Sequence, residues 1–294
     1  MSPQKTSIIC LCYNHESYVE EAIDSAFGQD YENIEVIAVD DCSTDKSRDV
    51  LSDLTRKYPG LLLISNSANL GNCASFNKAF SQSTGDYIID LAGDDILAPD
   101  RVSVGVDVLG SESDEFGVHY CDHEWIDPTG KSLGYQYERS KDGSLVSPPP
   151  SGDIYADILE RYFISAPTMM IRRQVLEQLD GYDETLSYED FDFWVRSSRR
   201  WKYKFSSEVL VKKRVLQSSL SKKQFRFGSQ HDRSTFQVCQ KAFKLNKSIQ
   251  EHNALRRRIS YERKHAIASG NLKLAKDYHS LIGEIDSLLK SLKS

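Results

Sequence analysis

The sequence predicts an α/β fold, with a mostly parallel sheet flanked by helices and then a C-terminal α-helical extension. Three observations predict it. Short apolar runs at residues 7–12, 34–39, 61–65 and 87–91 alternate with segments of helical periodicity. The resulting order, βαβαβαβ, implies parallel strands joined by right-handed crossovers. The runs are nearly continuous in Ile, Leu, Val and Cys, which suits strands covered on both faces. From residue 224 onward only helical periodicity remains.

The first strand, S-I-I-C-L-C, is followed by a Tyr13-Asn14-His15 loop and a helix over residues 16–27. The second strand, I-E-V-I-A-V, ends on Asp40-Asp41. Ser43 and Thr44 then stand as candidate N-caps of a helix that Pro59-Gly60 ends. A third strand over 61–65 and a helix over 73–81 lead to Y-I-I-D-L-A-G-D-D, a strand that stops on Asp94-Asp95. Pro99 opens a helix over 100–109. A strand over 117–121, a turn at Asp127-Pro128-Thr129-Gly130 and an irregular, Pro- and Gly-rich loop over 133–152 follow. That loop is expected to be mobile and close to substrate. A helix over 154–161, a strand over 167–172 and a helix over 174–179 come next. A further helix starts at Tyr188-Glu189-Asp190, and short strands are expected at 201–205 and 208–213. The domain reading is therefore 1–221 for the α/β part and 222–294 for the helical part. The arrangement is Rossmann-like. Yet the loop after the first strand, Y-N-H-E-S, lacks the glycines of a dinucleotide-binding fingerprint, which argues against an NAD-type domain.

Composition narrows the function. The chain has 294 residues with 39% hydrophobic and 27% charged side chains, ordinary values for a globular protein. No run approaches the ~18 apolar residues of a membrane span. The N-terminus has no apolar leader, which points to a cytoplasmic protein. The six cysteines are scattered without CxxC spacing and read as reduced thiols. Residues 222–294 hold 16 lysines and arginines against 6 acids, a net of +10, leaving −16 for residues 1–221. An acidic body with a basic tail argues against nucleic-acid binding. It leaves open peripheral contact between the tail and an anionic membrane face, or self-association through the tail.

Three acidic clusters carry the chemistry: Asp40-Asp41, Asp94-Asp95 and Glu189-Asp190. Two of them end successive parallel strands, where open α/β sheets place their ligands. Paired carboxylates there suit a hard divalent cation. His119, Cys121 and His123 alternate along a strand and would share a face, as zinc ligands would, but ordinary strand residues do the same. Trp194 reads as core.

These residues carry a resemblance. The segments S-I-I-C-L-C-Y-N, V-D-D-C-S-T-D, N-L-G-N-C-A-S-F-N, G-D-Y-I-I-D-L-A-G-D-D-I-L-A-P-D, M-M-I-R-R-Q-V-L and G-Y-D-E-T-L-S-Y-E-D-F-D-F-W-V-R stand in the order of a family 2 glycosyltransferase. They cover residues 5 to 215. The resemblance implies a GT-A fold and inverting transfer of a single sugar from a nucleotide-sugar donor, with UDP as the carrier. The acceptor would be a hydroxyl of a glycan or lipid-linked molecule, in surface polysaccharide assembly. It implies that Tyr13 flanks the base, that Asp41 hydrogen-bonds it, and that Asp94 meets the nucleotide. Asp94 and Asp95 would hold Mg²⁺ or Mn²⁺, and Asp190 would be the general base. Asp122 and Glu189 are assigned to the acceptor side. Two positions depart from the pattern. Ala92 stands where the metal motif usually begins with Asp, and Asp90, two residues earlier, is placed to substitute. Leu216 stands where the family often has a histidine. S-S-R-R-W keeps only the R-W of the processive signature, which favours single addition. The rival readings are a nucleotidyltransferase, which would need a Gly-rich basic first loop, and a non-catalytic nucleotide-sugar-binding module.

Overall fold

A computed structural model describes residues 4–216 and 230–292. They form two compact units. The first runs to Gly152 and also takes in Ile164–Glu184 and Trp201–Leu216. The second takes in Asp153–Phe163, Thr185–Arg200 and the C-terminal helices. The expected boundary at 221 lies outside the described residues. The division also differs from the expected one, because two inserted segments belong with the helices: α5 (Tyr155–Glu160) and α7 (Asp190–Ser198).

The first unit holds β1 (Thr6–Cys12), β2 (Ile34–Asp40), β3 (Leu61–Ser65), β4 (Tyr87–Ala92), β5 (Ile96–Leu97), β6 (Phe116–Ile126), β7 (Ser132–Tyr135), β8 (Met169–Arg172) and β9 (Lys202–Arg214). Its helices are α1 (Val19–Phe27), α2 (Ser47–Lys57), α3 (Asn72–Phe80), α4 (Arg101–Ser111) and α6 (Arg173–Leu179). The sheet order is β3-β2-β1-β4-β8-β6-β9-β5, with β7 paired to β6. The β3-β2-β1-β4 half is parallel, as the sequence predicts. Beyond it, β8 runs antiparallel to both β4 and β6, β9 runs parallel to β6, and β5 runs antiparallel to β9. The sheet is therefore mixed.

The two central strands explain the apolar runs. Every residue of β1 is buried. Ile8, Cys10 and Cys12 join Val19, Ala22, Ile23 and Ala26 of α1 in one core, while α3 packs on β1 and β2. None of the six cysteines forms a disulfide, and five of them are buried.

The sheet's second half was less legible. β6 extends well past Cys121 because Asp122 and His123 are themselves fully buried. The two short strands expected near 201–213 are one long strand, since register shifts along β6 absorb the polar Ser206-Ser207 stretch. β7 forms inside the segment expected to be irregular. The 127–130 turn is as expected, with Asp127 Oδ1 accepting from Thr129 N at 2.8 Å and Lys131 N at 3.0 Å.

In the second unit α8 (Gln230–Leu245), α9 (Ile249–Ala268) and α10 (Leu272–Ser291) follow one another. Ser248 and Glu251 form a capping box at the start of α9. The basic run of α9 is matched within the chain: Arg256 pairs with Asp286, Arg257 with Glu160 and Arg258 with Glu262. Among the described residues no helix is long and apolar enough to cross a membrane.

At the edge of the sheet where β1 and β2 begin, Glu35 joins three segments. It accepts from Lys5 Nζ at 2.6 Å, from Ser7 Oγ, and from both the backbone and side chain of Thr84. Burial pushes its carboxyl up, but those hydrogen bonds outweigh it and hold the pKa at about 2. A lowered carboxyl stabilises the fold above its ordinary value of 4.5, and that contribution is lost as pH falls towards 2. Glu35→Gln should therefore cost about 1 kcal/mol at neutral pH, allowing for solvent screening. Urea titrations down the pH scale should show a flatter acid limb for the variant, and identical limbs would refute the assignment.

Candidate functional site

β4 delivers Asp94 and Asp95 through Ala92-Gly93. Gly93 is required there, since a Cβ would lie 3.0 Å from both His15 Nδ1 and Leu11 O. The close approach lets Gly93 N donate to Leu11 O at 2.8 Å. It also places His15 Nε2 4.0 Å from Asp94 Oδ1. Asp95 is 3% exposed and accepts from Arg214 N at 2.9 Å. Burial pushes its carboxyl up to about 7, and Asp94 pushes in the same direction, against Lys213 and Arg214. Asp94 is only partly buried.

Arg214 is the residue that sequence reasoning missed. It ends β9 and is buried. Its guanidinium donates to Asp94 O at 3.1 Å, Asp127 O at 3.2 Å and Pro128 O at 3.1 Å. It pairs with Glu21 of α1 and stacks 4.7 Å above the Tyr18 ring. The available signal was Lys212-Lys213-Arg214, three cations closing the V-L-V run of the strand.

The loops after β1 and β2 are knitted together. Asn14 N donates to Ser43 Oγ at 3.0 Å, and Asn14 Oδ1 accepts from Thr44 N at 2.8 Å. His15 N donates to Ser47 Oγ at 2.8 Å. Asn14 and Cys42 both adopt φ of 60°, a left-handed conformation that non-glycine residues enter only when their surroundings impose it. Ser43 and Thr44 thus serve this inter-loop contact and are not helix caps. The α2 helix begins at Ser47, whose N–H donates to Asp45 Oδ1 at 2.9 Å. Tyr13 is exposed at the end of β1.

Asp41 is 6% exposed, and both of its oxygens are engaged. They accept from Asn66 Nδ2 at 2.9 Å, Leu70 N at 2.8 Å and Gly71 N at 2.9 Å. A direct base contact was expected of this carboxylate; in the fold it also shapes residues 66–71. Asp40 beside it is fully buried, with Oδ2 lacking a hydrogen-bond partner. Asp90 accepts from the Tyr182 hydroxyl at 3.2 Å in the protein interior, so it does not stand in for the missing carboxylate at Ala92.

Asp122 was expected on the acceptor side. It is fully buried, and Arg139 donates to its Oδ2 from Nε at 3.1 Å and from a terminal nitrogen at 2.7 Å. His123 N donates to its other oxygen at 2.8 Å. The carboxylate therefore latches the 133–152 loop to β6 and is not open to a solute. His119 and Cys121 do not form a metal set with His123. His119 lies 3.4 Å from Arg101 and 2.9 Å from Ser206 Oγ, while Cys121 faces the Thr168 carbonyl. His123 is buried with neither ring nitrogen bonded; burial, helped by Lys213, lowers its pKa to about 3.

In the helical unit, Asp190 is the first residue of α7 and Glu189 its N-cap. Phe191 N donates to Asp190 Oδ1 at 2.9 Å. Glu189 is buried, Asp190 partly so. Asp192 is occupied by Arg196 and Lys241, and Trp194 is core.

Among the described residues no group of three or more His, Cys, Asp or Glu could hold a metal alone. Magnesium-type sites commonly take one or two carboxylates and complete their shell with substrate phosphates. Asp94, with His15 Nε2 4.0 Å away and Asp95 next to it in the chain, fits that shared kind of site. The acids present could hold Mg²⁺ or Mn²⁺ together with a phosphorylated ligand.

The family model that matches is that of glycosyl transferase family 2, over residues 7–180. An uncharacterized glycosyltransferase of Rickettsia typhi is 30% identical over 215 residues, covering 71% of this chain and 63% of its own length. One from Haemophilus influenzae is 31% identical over 221 residues, covering 71% of this chain and 65% of its own. The chain thus spans slightly under two thirds of these relatives. Among solved structures, S. aureus TarS 1–349 in complex with UDP-GlcNAc aligns with a TM-score of 0.71 at 17% identity, covering 96% of this chain and 80% of its own. The mannosyltransferase PcManGT of Pyrobaculum calidifontis, in complex with GDP-Man and Mn²⁺, aligns at 0.62 with 16% identity, over 100% and 87% of the two chains. The fold is GT-A.

Asp41 supplies a test of the site's construction. Asp41→Ala leaves three donors without their acceptor and should cost roughly 2–4 kcal/mol. Chemical denaturation without any nucleotide present should show this loss. Undiminished stability would mean that residues 66–71 hold their shape without it.

Proposed function

The chain belongs to glycosyl transferase family 2, and from that premise we propose that it is an inverting enzyme transferring one sugar from a nucleotide-sugar donor. The acceptor in this reading is a hydroxyl of a glycan or lipid-linked molecule, in surface polysaccharide assembly. The observation that carries the reading is the acidic loop at the end of β4: a partly open Asp94 beside a buried Asp95 that the backbone N–H of Arg214 holds in place. UDP is the carrier we favour, a choice supported by the TarS complex with UDP-GlcNAc. Tyr13 flanks the base. Asp41 contributes through the loop it holds.

The transfer is a single displacement. The acceptor oxygen forms a bond to the anomeric carbon as that carbon's bond to the donor's diphosphate oxygen breaks. The bonding pair leaves with the nucleoside diphosphate, and the acceptor's proton passes to Asp190. A neutral hydroxyl is a weak nucleophile, so a positioned carboxylate base is worth about 10²–10⁴-fold. Asp190 stands on the first turn of α7, where it is only partly buried. A divalent cation on Asp94, when bound, would offset the charge gathering on the diphosphate.

Isothermal titration should show UDP binding more tightly with Mn²⁺ than with EDTA, and equal affinity would remove the metal from this reading. Asp190→Asn should leave donor affinity unchanged and lower turnover by about 10²–10⁴-fold. Near-normal turnover would dismiss Asp190 as the base.

A further inference from the structure

Several cations of the first unit are matched by acids. Lys5 meets Glu35, Lys57 meets Asp24, Lys202 meets Glu115, Lys204 meets Glu112, and Arg214 meets Glu21. Lys213 is half-buried on β9, and among the described residues no carboxylate forms an ion pair with it. Its ammonium donates to Ser165 Oγ at 3.0 Å and lies 5.4 Å from the centre of the Trp125 ring. Trp125 is its direct partner across the β6–β9 ladder, and His123 sits two residues earlier on the same face. The His123 ring stands edge-on to Trp125 at 4.3 Å, with both nitrogens buried and unbonded. The next residue on the strand, Arg214, gives its backbone N–H to Asp95 at 2.9 Å, which puts Lys213 one residue from the acidic loop. An ammonium loses hydration when half-buried, and a single hydroxyl and an indole face return little of it. An anionic ligand arriving beside the acidic loop would restore the balance.

We propose that Lys213 binds the diphosphate of the nucleotide-sugar donor and the nucleoside diphosphate that leaves, adding protein charge to whatever charge a metal ion brings. This rests on the reading of the chain as a nucleotide-sugar transferase. Lysine suits the task, because its compact charge follows a phosphate without demanding bidentate geometry. As the anomeric bond breaks, the electron pair moves onto the diphosphate oxygen, and the ammonium opposes that charge without giving up a proton.

The test is isothermal titration of the full chain with UDP, GDP and uridine, each in Mn²⁺ and in EDTA. Lys213→Met keeps the stem that packs on Trp125, and Lys213→Gln serves as a second variant should Met impair folding, judged by thermal denaturation. The expected result is a loss of about tenfold or more in affinity for the diphosphate that wild type prefers, larger in EDTA than in Mn²⁺. Uridine affinity should stay unchanged, and Lys213→Arg should recover part of the loss. If wild type binds a diphosphate and both variants bind it equally well, the lysine's role is overturned while the transferase reading stands. If wild type binds no diphosphate in either condition, both fall together.

Discussion

Two adjacent carboxylates at the end of a buried strand impose the constraint on which the sheet unit depends. Asp94 and Asp95 repel each other, and Asp95 is almost wholly removed from water. The fold answers with backbone donors and one arginine. Arg214 gives its own N–H to Asp95 and its guanidinium to the Asp94 carbonyl. To do so it must arrive from β9, which in turn needs β6 beside it for most of its length. The same guanidinium fastens the β6–β7 turn and α1. The local cost of the acids is thereby spread over four chain segments.

Charge placement separates residues that hold the site from residues open to a ligand. Asp41, Asp90, Asp122 and Arg214 all have their hydrogen-bonding atoms engaged by the protein. Each is deeply buried, where an unmatched charge would be costly. Tyr13, Asp94 and Lys213 remain at least partly accessible. The left-handed Asn14 and Cys42 belong to the first group in effect. Their strain is tolerated because side-chain hydrogen bonds between the two loops hold both turns in place.

The parallel half of the sheet was legible because its strands are apolar on both faces and its helices keep a 3.6-residue period. The second half was not, for a local reason. β6 carries Asp122 and His123 at fully buried positions, and β9 carries Ser206 and Ser207 mid-strand, so neither shows the pattern of a long strand. The same holds for the site. The paired acids could be located at their strand ends, where a run of apolar residues stops on two carboxylates. Asp41 was recognisable as an acid but not as one already occupied, because its partners Asn66, Leu70 and Gly71 come from a loop whose shape the sequence does not announce. Arg139 lies 17 residues from Asp122, a pairing no periodicity reveals.

Lys213 and Arg214 show how one dipeptide can serve both groups. Neighbours on a strand point to opposite faces. Arg214, on one face, finds a carboxylate, three carbonyls and an aromatic ring, and its charge is fully consumed. Lys213, on the other, finds a hydroxyl, an indole and an unbonded imidazole. A reversed order, Arg-Lys, would put the shorter list of donors where several carbonyls must be met at once. The order found gives the many-donor side chain to the fixed structural task and leaves the flexible one partly accessible on the other face, available for the anion-binding role proposed for it.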